Sequence, residues 1–361
     1  MAKIRVGIVY GGRSVEHEVS IASATSILQA LDPSRYEVQL IAISKEGRWH
    51  LGGPDLLPEA VLEAPEVTLP AIPGERRLVS VDGGQPAGEV DVIVPIVHGT
   101  GGEDGSLQGF LELAGVPYVG AGVLGSAIQM DKEVTKRLLA AEGLPVVPGT
   151  CVRASQLRAD SRGCCERVIS ELGLPLFVKP AGLGSSVGIS KVASVAELLP
   201  ALEEAARYDA KILVEHGVDA RELEIAVLGN DEPEASVPGE IVPHAEFYDY
   251  EAKYVAESTE LLVPAPVSDA LAARMRELAI RAYRLLEGQG MARVDFFLDR
   301  ETDELWLNEV NSLPGFTEVS MYPRLWQASG LSYPALLDRL IELALERAQR
   351  DQSLERSYRL G

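Results

Sequence analysis

Residues 90–97, Val-Asp-Val-Ile-Val-Pro-Ile-Val, form an almost unbroken apolar run that opens into His-Gly-Thr-Gly-Gly. A strand with alternating polarity has one wet face; a run like this one has none, so it belongs in a parallel sheet covered on both faces. A second β-branched run, at 4–10, is broken by Gly11-Gly12 and followed over 18–31 by apolar residues at helical spacing. A strand at 36–43 and a helix at 105–114 complete an alternation that predicts an open α/β domain over about 115 residues. The stretch 52–88, rich in Pro, Gly and Glu, reads as an insertion or long loop.

Beyond residue 120 the pattern changes. Helical spacing covers 131–142 and 164–172, with extended segments at 146–152 and 176–179. A glycine-serine loop at 181–188 leads to a helix at 195–207 and an extended segment at 211–215. A third block has strands at 222–228, 291–298 and 304–310 and long helices at 269–286 and 333–348. No internal repeat interrupts this order, and 361 residues suit two to three domains at roughly 150 each.

Thirty-three Lys and Arg against 54 Asp and Glu give a net charge of −21. A surface that acidic repels phosphate backbones and anionic lipid, which argues against nucleic acid or membrane as a partner. An anionic small substrate then needs a local basic pocket. No run approaches the ~18 apolar residues of a membrane span. The opening apolar stretch is followed by no small-residue cleavage site, so a cytoplasmic protein is expected. Cys151, Cys164 and Cys165 are odd in number and lack Cys-x-x-Cys spacing, which predicts free thiols, neither a disulfide framework nor a zinc site.

Chemistry concentrates in a few segments. Arg293 and Asp295 lie two apart and share one face of a strand, as do Glu309 and Asn311 on the next. Three oxygen donors and a guanidinium in one small region are costly to bury unpartnered. They suit a hard cation such as Mg²⁺, which keeps room for phosphate and water. Lys179, at a strand end, precedes Pro-Ala-Gly-Leu-Gly-Ser-Ser-Val-Gly. This supplies a cation, backbone N–H groups and the hydroxyls of Ser185 and Ser186, the donors polyphosphate requires. It is not a Walker loop, because no Gly-Lys-Ser/Thr opens a helix. The turn at 11–20 lacks Gly-x-Gly-x-x-Gly, so a dinucleotide site fails. Taken alone, Glu16 and Glu18 there are acids favoured by a helix dipole. His98 follows the buried strand at its carboxyl end, where open α/β sheets bind ligands. The run Phe-Tyr-Asp-Tyr-Glu-Ala-Lys-Tyr at 247–254 has no clear period and suits an ordered lid loop.

Taken together, several segments resemble the D-alanine–D-alanine ligase family. These are Gly-Gly-x-Ser-x-Glu-His-Glu-Val-Ser at 11–20, His-Gly-x-x-Gly-Glu-Asp-Gly at 98–105, Met-Asp-Lys at 130–132 and the 179–188 loop. Tyr-Asp-Tyr-Glu-Ala-Lys-Tyr at 248–254, Arg293-x-Asp295 and Glu309-x-Asn311-x-x-Pro314-Gly315 complete the set. They occur in family order over nearly the whole chain. The resemblance implies an N-terminal open parallel α/β domain (1–121) followed by an ATP-grasp fold of two α+β lobes, a central one (122–215) and a C-terminal one (216–361) with the metal site and lid.

It also implies roles. Lys132, Lys179, Ser185, Ser186 and Lys253 would bind the ATP phosphates, Glu215 the adenine and Glu222 the ribose. Where many relatives have Lys, His216 stands here. That position mainly offers its backbone to adenine, so altered nucleotide affinity is expected at most. Asp295, Glu309 and Asn311 would hold two Mg²⁺ ions, with Mn²⁺ a possible substitute. Glu16 would pair with the ammonium group of the first D-alanine, with His98 nearby. Arg293 and the Gly315 N–H would stabilise an oxyanion, and Ser320 with the Met321 backbone would bind the second D-alanine's carboxylate. Ser185 and Tyr254 would partner Glu16 to lock the lid. The expected activity is ATP-dependent formation of D-alanyl-D-alanine through D-alanyl phosphate, for peptidoglycan precursors, by a homodimer. Relatives that use D-lactate lack the 248–254 lid, so Tyr254 favours an amine acceptor. The alternatives are D-serine or D-lactate as acceptor, or a non-catalytic ligand sensor, which would have lost a metal ligand or phosphate lysine.

Overall fold

The computed structural model describes residues 2–184, 187–243 and 259–355. In the first sheet, Ile4–Gly11 pairs in parallel with Tyr36–Ile43 on one side and Val92–Ile96 on the other. Trp49–Gly52 adds antiparallel at the outer edge. The chain leaves Ile4–Gly11 through the helix His17–Ala30 toward one edge and reaches Val92–Ile96 on the opposite side. The strand order therefore reverses at Ile4–Gly11, and a crevice opens beyond the carboxyl ends of these two strands. The loops beginning at Gly12 and Val97 flank that crevice.

The segment 52–88 is more ordered than its composition predicts. It contains a 3₁₀ turn at Pro58–Glu63 and a three-stranded antiparallel sheet of Val67–Thr68, Arg77–Ser80 and Pro86–Glu89. Val61, Val67, Leu69 and Leu78 are buried. Strands this short carry no readable period between their Pro and Gly turns, which is why the stretch looks like a loop.

The second sheet is antiparallel throughout, ordered Ser190–Val192, Leu176–Pro180, Lys211–His216, Gly149–Arg153. Val178 and Val214 face a core with Val168, Leu198 and Leu202 of the covering helices Ser161–Leu172 and Val195–Ala205. The intervening side chains Phe177, Lys179 and Glu215 emerge on the other face.

The third sheet runs Thr259–Leu262, Gly239–Pro243, Ala220–Gly229, Gly290–Asp299, Leu305–Asn311, with Glu234–Ala235 beside Ala220–Gly229. Leu223, Ile225, Val227, Ala292, Val294 and Phe296 pack against the helix Asp269–Leu285. Glu222 and Glu224, and opposite them Arg293, Asp295 and Phe297, lie on the other face. The helix Tyr333–Gln352 joins the first and third sheets in one hydrophobic core. Among the described residues no helix is long and apolar enough to cross a membrane.

The loop after Val97 leaves little room. A Cβ on Gly102 would lie 1.8 Å from the Val97 carbonyl oxygen. Gly102→Ala is therefore expected to destabilise the fold by about 1–3 kcal/mol and to displace the His98 loop, measured by denaturant unfolding. An unchanged midpoint would contradict this packing.

Candidate active site

The crevice of the first sheet and the polar faces of the other two line one cavity of about 800 Å³. Each of its three charged regions follows from strand register or a helix end.

At the centre, Glu224 lies opposite Asp295, Asp295 opposite Glu309, and Arg293 opposite Asn311. The register slips between Asp295 and Phe296, so Phe296 faces Leu307 and Asn308 is the extra residue. This bulge keeps Glu309 and Asn311 on the cavity face. Arg293 donates from Nε to Asp295 Oδ1 and from Nη2 to Oδ2, both at 2.7 Å, and its Nε lies 3.1 Å from Glu224 Oε2. Asn311 Nδ2 donates to Asp295 Oδ2 at 2.9 Å. Burial acts to lower the Arg293 guanidinium's pKa, but Asp295 and Glu224 outweigh it and hold the group firmly protonated. Three carboxylates, Glu224, Asp295 and Glu309, thus gather around one guanidinium.

Among the described residues no three His, Cys, Asp or Glu side chains form an all-protein metal cage. Mg²⁺ does not ask for one, since it uses one or two carboxylates and completes its shell with phosphate and water. Asp295, Glu309 and Asn311 fit that requirement as a donor set. Turning the Asn311 amide over presents Oδ1 without moving the backbone.

The second region is basic. Asp131 caps the helix Lys132–Ala141 by accepting from the Val134 N–H at 3.1 Å, which fixes the start of that helix. Lys132 Nζ then donates to the Leu183 carbonyl at 2.6 Å and lies 3.7 Å from Glu309 Oε2. Lys179 pairs with Glu215 Oε2 at 2.7 Å, while the other oxygen, Oε1, pairs with Lys136. All three are nearly inaccessible. Burial opposes the Glu215 charge, but the two ammonium groups win and hold its carboxyl below the ordinary range. Burial draws Lys136 down despite Glu215. For Lys179 burial is outweighed by Glu215, with Glu309 and Glu222 adding, and its pKa is raised. Phe177, Phe297 and Val147 supply apolar walls beside this cluster. His216 turns its Nδ1 to the Leu172 carbonyl, 3.2 Å away.

The third region lies in the crevice. Glu16, at the end of the helix His17–Ala30, is 7% exposed. A Cβ on Gly99 would lie 2.6 Å from its Oε2, and one on Gly184 would lie 3.3 Å away, so the carboxylate sits between the His98 loop and the glycine-serine loop. Glu18, at the cavity's exposed rim, pairs with Lys45. His98 Nε2 is 3.0 Å from Ser23 Oγ, and its Nδ1 is 3.6 Å from Glu103 Oε1. Also on the cavity wall, Ser320 precedes the helix Met321–Ala328, and its Oγ accepts from the Thr317 N–H at 3.1 Å. Gly315 comes close to this hydroxyl, since a Cβ there would lie 3.3 Å from it. The N–H groups of a first helical turn have no partner within the helix and suit a carboxylate.

Thus Glu16, His98, Lys132, Lys179, Glu215, Glu222, Arg293, Asp295, Glu309, Asn311, Gly315, Ser320 and Met321 all line one cavity. Ser185, Ser186, Lys253 and Tyr254 lie outside the described residues. Glu224 and Lys136 are among the charged groups that escaped the sequence reading. Glu224 stands two residues after Glu222 on a strand, and Lys136 one helical turn after Lys132, so both spacings were visible. Neither could be distinguished from a solvated face without the strands and helices that bury them.

Residues 5–121 match the family model described as D-ala D-ala ligase N-terminus, and residues 138–342 match D-ala D-ala ligase C-terminus. The chain is 51% identical over 368 residues to D-alanine--D-alanine ligase A of Chromobacterium violaceum, covering 99% of both chains. It is 50% identical over 366 residues to D-alanine--D-alanine ligase A of Escherichia coli K12, covering 98% of this chain and 99% of that one. The D-alanine-D-alanine ligase from Coxiella burnetii superposes with a TM-score of 0.87 at 39% identity, covering 98% of this chain and 97% of that chain. The VanG D-Ala:D-Ser ligase from Enterococcus faecalis does so with 0.85 at 32%, covering 95% of this chain and 100% of that chain. The fold, the charged cavity and these likenesses together establish that the chain belongs to the D-alanine–D-alanine ligase family, ATP-dependent ligases of the ATP-grasp fold.

Proposed function

We propose that this protein joins two D-alanine molecules into D-alanyl-D-alanine at the expense of ATP, and that the reaction runs through D-alanyl phosphate. The supporting observation is the segregation of charge along one cavity. Lys132 and Lys179, the carboxylates Asp295 and Glu309, Glu16 and the start of the helix at Met321 all line it. ATP contributes phosphates to the lysines, and D-alanine contributes an ammonium to Glu16 and a carboxylate to the Met321 helix end.

In this reading the adenine lies by Glu215 and the apolar walls, the ribose on Glu222, and the phosphates on Lys132, Lys179, Ser185, Ser186 and Lys253. Asp295, Glu309 and Asn311 would hold two Mg²⁺ ions. Bound there, they supply positive charge that offsets repulsion between the phosphates and an incoming carboxylate. Glu16, with His98 nearby, orients the first D-alanine by its ammonium group so that its carboxylate oxygen meets the γ-phosphorus. A P–O bond forms and ADP leaves. The second D-alanine, held by Ser320 and the Met321 N–H, then attacks the acyl carbon with its amine. Arg293 and the Gly315 N–H stabilise the oxyanion, and the acyl C–O bond breaks to release phosphate. Ser185 and Tyr254 would act with Glu16 to protect the acyl phosphate from water. We also propose a division into residues 1–121, 122–215 and 216–361, and a homodimer.

Phosphate release from MgATP is expected with D-alanine alone, with the dipeptide identified by mass, and not with L-alanine. Release only when D-serine or D-lactate is added would overturn the acceptor. ATP binding with no release under any of these conditions would point to a sensor. Tyr254→Phe is expected to leave ATP affinity within about twofold while lowering kcat roughly tenfold or altering acceptor preference. If neither rate nor preference changed, the role of Tyr254 would be wrong.

A further inference from the structure

Lys136 contributes nothing to the cavity lining, yet its side chain is 8% exposed and its ammonium group ends on Glu215 Oε1. Among the described residues Glu215 is the one carboxylate within ion-pairing range of it. Glu215, 2% exposed, gives its other oxygen to Lys179 at 2.7 Å. Two lysine side chains thus share one carboxylate in a nearly inaccessible cluster. Lys179 lines the cavity, and Lys136 stands behind the wall.

A buried carboxylate with Lys179 as its sole cation would close into a neutral pair, because desolvation strengthens such a pair and penalises leaving either charge alone. A phosphate arriving at Lys179 would then compete with Glu215 for the same ammonium. With Lys136 present, the carboxylate keeps a partner when Lys179 turns to the phosphate. We propose that Lys136 is a positioning residue for nucleotide binding: it neutralises Glu215 from behind and leaves the charge of Lys179 to the polyphosphate.

The proposal rests on the cavity being an ATP site and goes further, since it assigns a residue that touches no substrate to the recognition of phosphate charge. It predicts an effect that depends on the ligand's phosphates. By calorimetry, Lys136→Met is expected to weaken ATP at least about tenfold while leaving adenosine within about twofold, because a buried charge interaction of this kind is long-ranged and strong. Adding Glu215→Gln to Lys136→Met removes the competing carboxylate. It is expected to raise the ratio of ATP to adenosine affinity back toward the wild-type ratio. Unchanged ATP affinity in Lys136→Met, or an equal loss for adenosine, would overturn the proposal and leave Lys136 a structural residue. Should Lys136→Met fail to fold, the double variant carries the test. A wild-type ATP-to-adenosine ratio supports the idea, and a tenfold fall in that ratio rejects it. Wild-type protein that binds no ATP would reject the ATP-site reading itself, a different result from either.

Discussion

Arg293→Lys is expected to lower kcat by about two orders of magnitude or more, with ATP affinity within a few-fold of wild type. The substitution keeps the charge and removes the fork. Arg293 spends Nε and one Nη2 hydrogen on the two oxygens of Asp295, with Glu224 against Nε. That grip fixes the guanidinium plane and directs its remaining N–H groups. A lysine ammonium is a point charge that cannot bridge both Asp295 oxygens and also present a fixed donor to a developing oxyanion. In the proposed role the lost interaction forms in the transition state, so kcat and kcat/KM should fall together. Steady-state kinetics decide the matter: a kcat within tenfold of wild type would show that Arg293 serves only the strand-to-strand network.

Glu309→Gln is expected to be still more damaging, with a loss of roughly a thousandfold in kcat at ordinary Mg²⁺. Glu309 stands opposite Asp295 across the strand pair and 3.7 Å from Lys132, so its carboxylate meets both a proposed metal donor and a lysine proposed to bind phosphate. The amide keeps the shape and one oxygen but loses the charge that draws a hard cation. Raising Mg²⁺ should therefore recover part of the rate and move the half-saturating concentration upward. Near-normal turnover with an unshifted Mg²⁺ dependence would sink the metal assignment.

Much of this site was legible in the chain because strands obey a period of two. Arg293-x-Asp295 and Glu309-x-Asn311 announce shared faces, and the structure sets those faces side by side. The buried run at 90–97 likewise foretold the parallel sheet and the loop that carries His98. What the sequence withheld is register and depth. Nothing local says that Glu224 would stand opposite Asp295, or that a bulge at Asn308 would keep Glu309 on the cavity face. Lys136 on its own reads as one more helix cation. It becomes part of a buried cluster only because Glu215, from a strand 79 residues later, comes down upon it. The small sheet within 52–88 escaped for a plainer reason, since strands of two to four residues leave no period to find.

The most direct test of the central claim follows the oxygen atoms. With D-alanine carrying ¹⁸O in both carboxylate positions, one oxygen of the first substrate bonds to the γ-phosphorus. It departs with the phosphate when the amine attacks. One ¹⁸O is expected in each phosphate released and one in the peptide carbonyl of each dipeptide, read by mass spectrometry. Phosphate without ¹⁸O, released alongside unreacted D-alanine, would mean that water and not the carboxylate takes the phosphoryl group, and would contradict the ligase mechanism argued from this cavity.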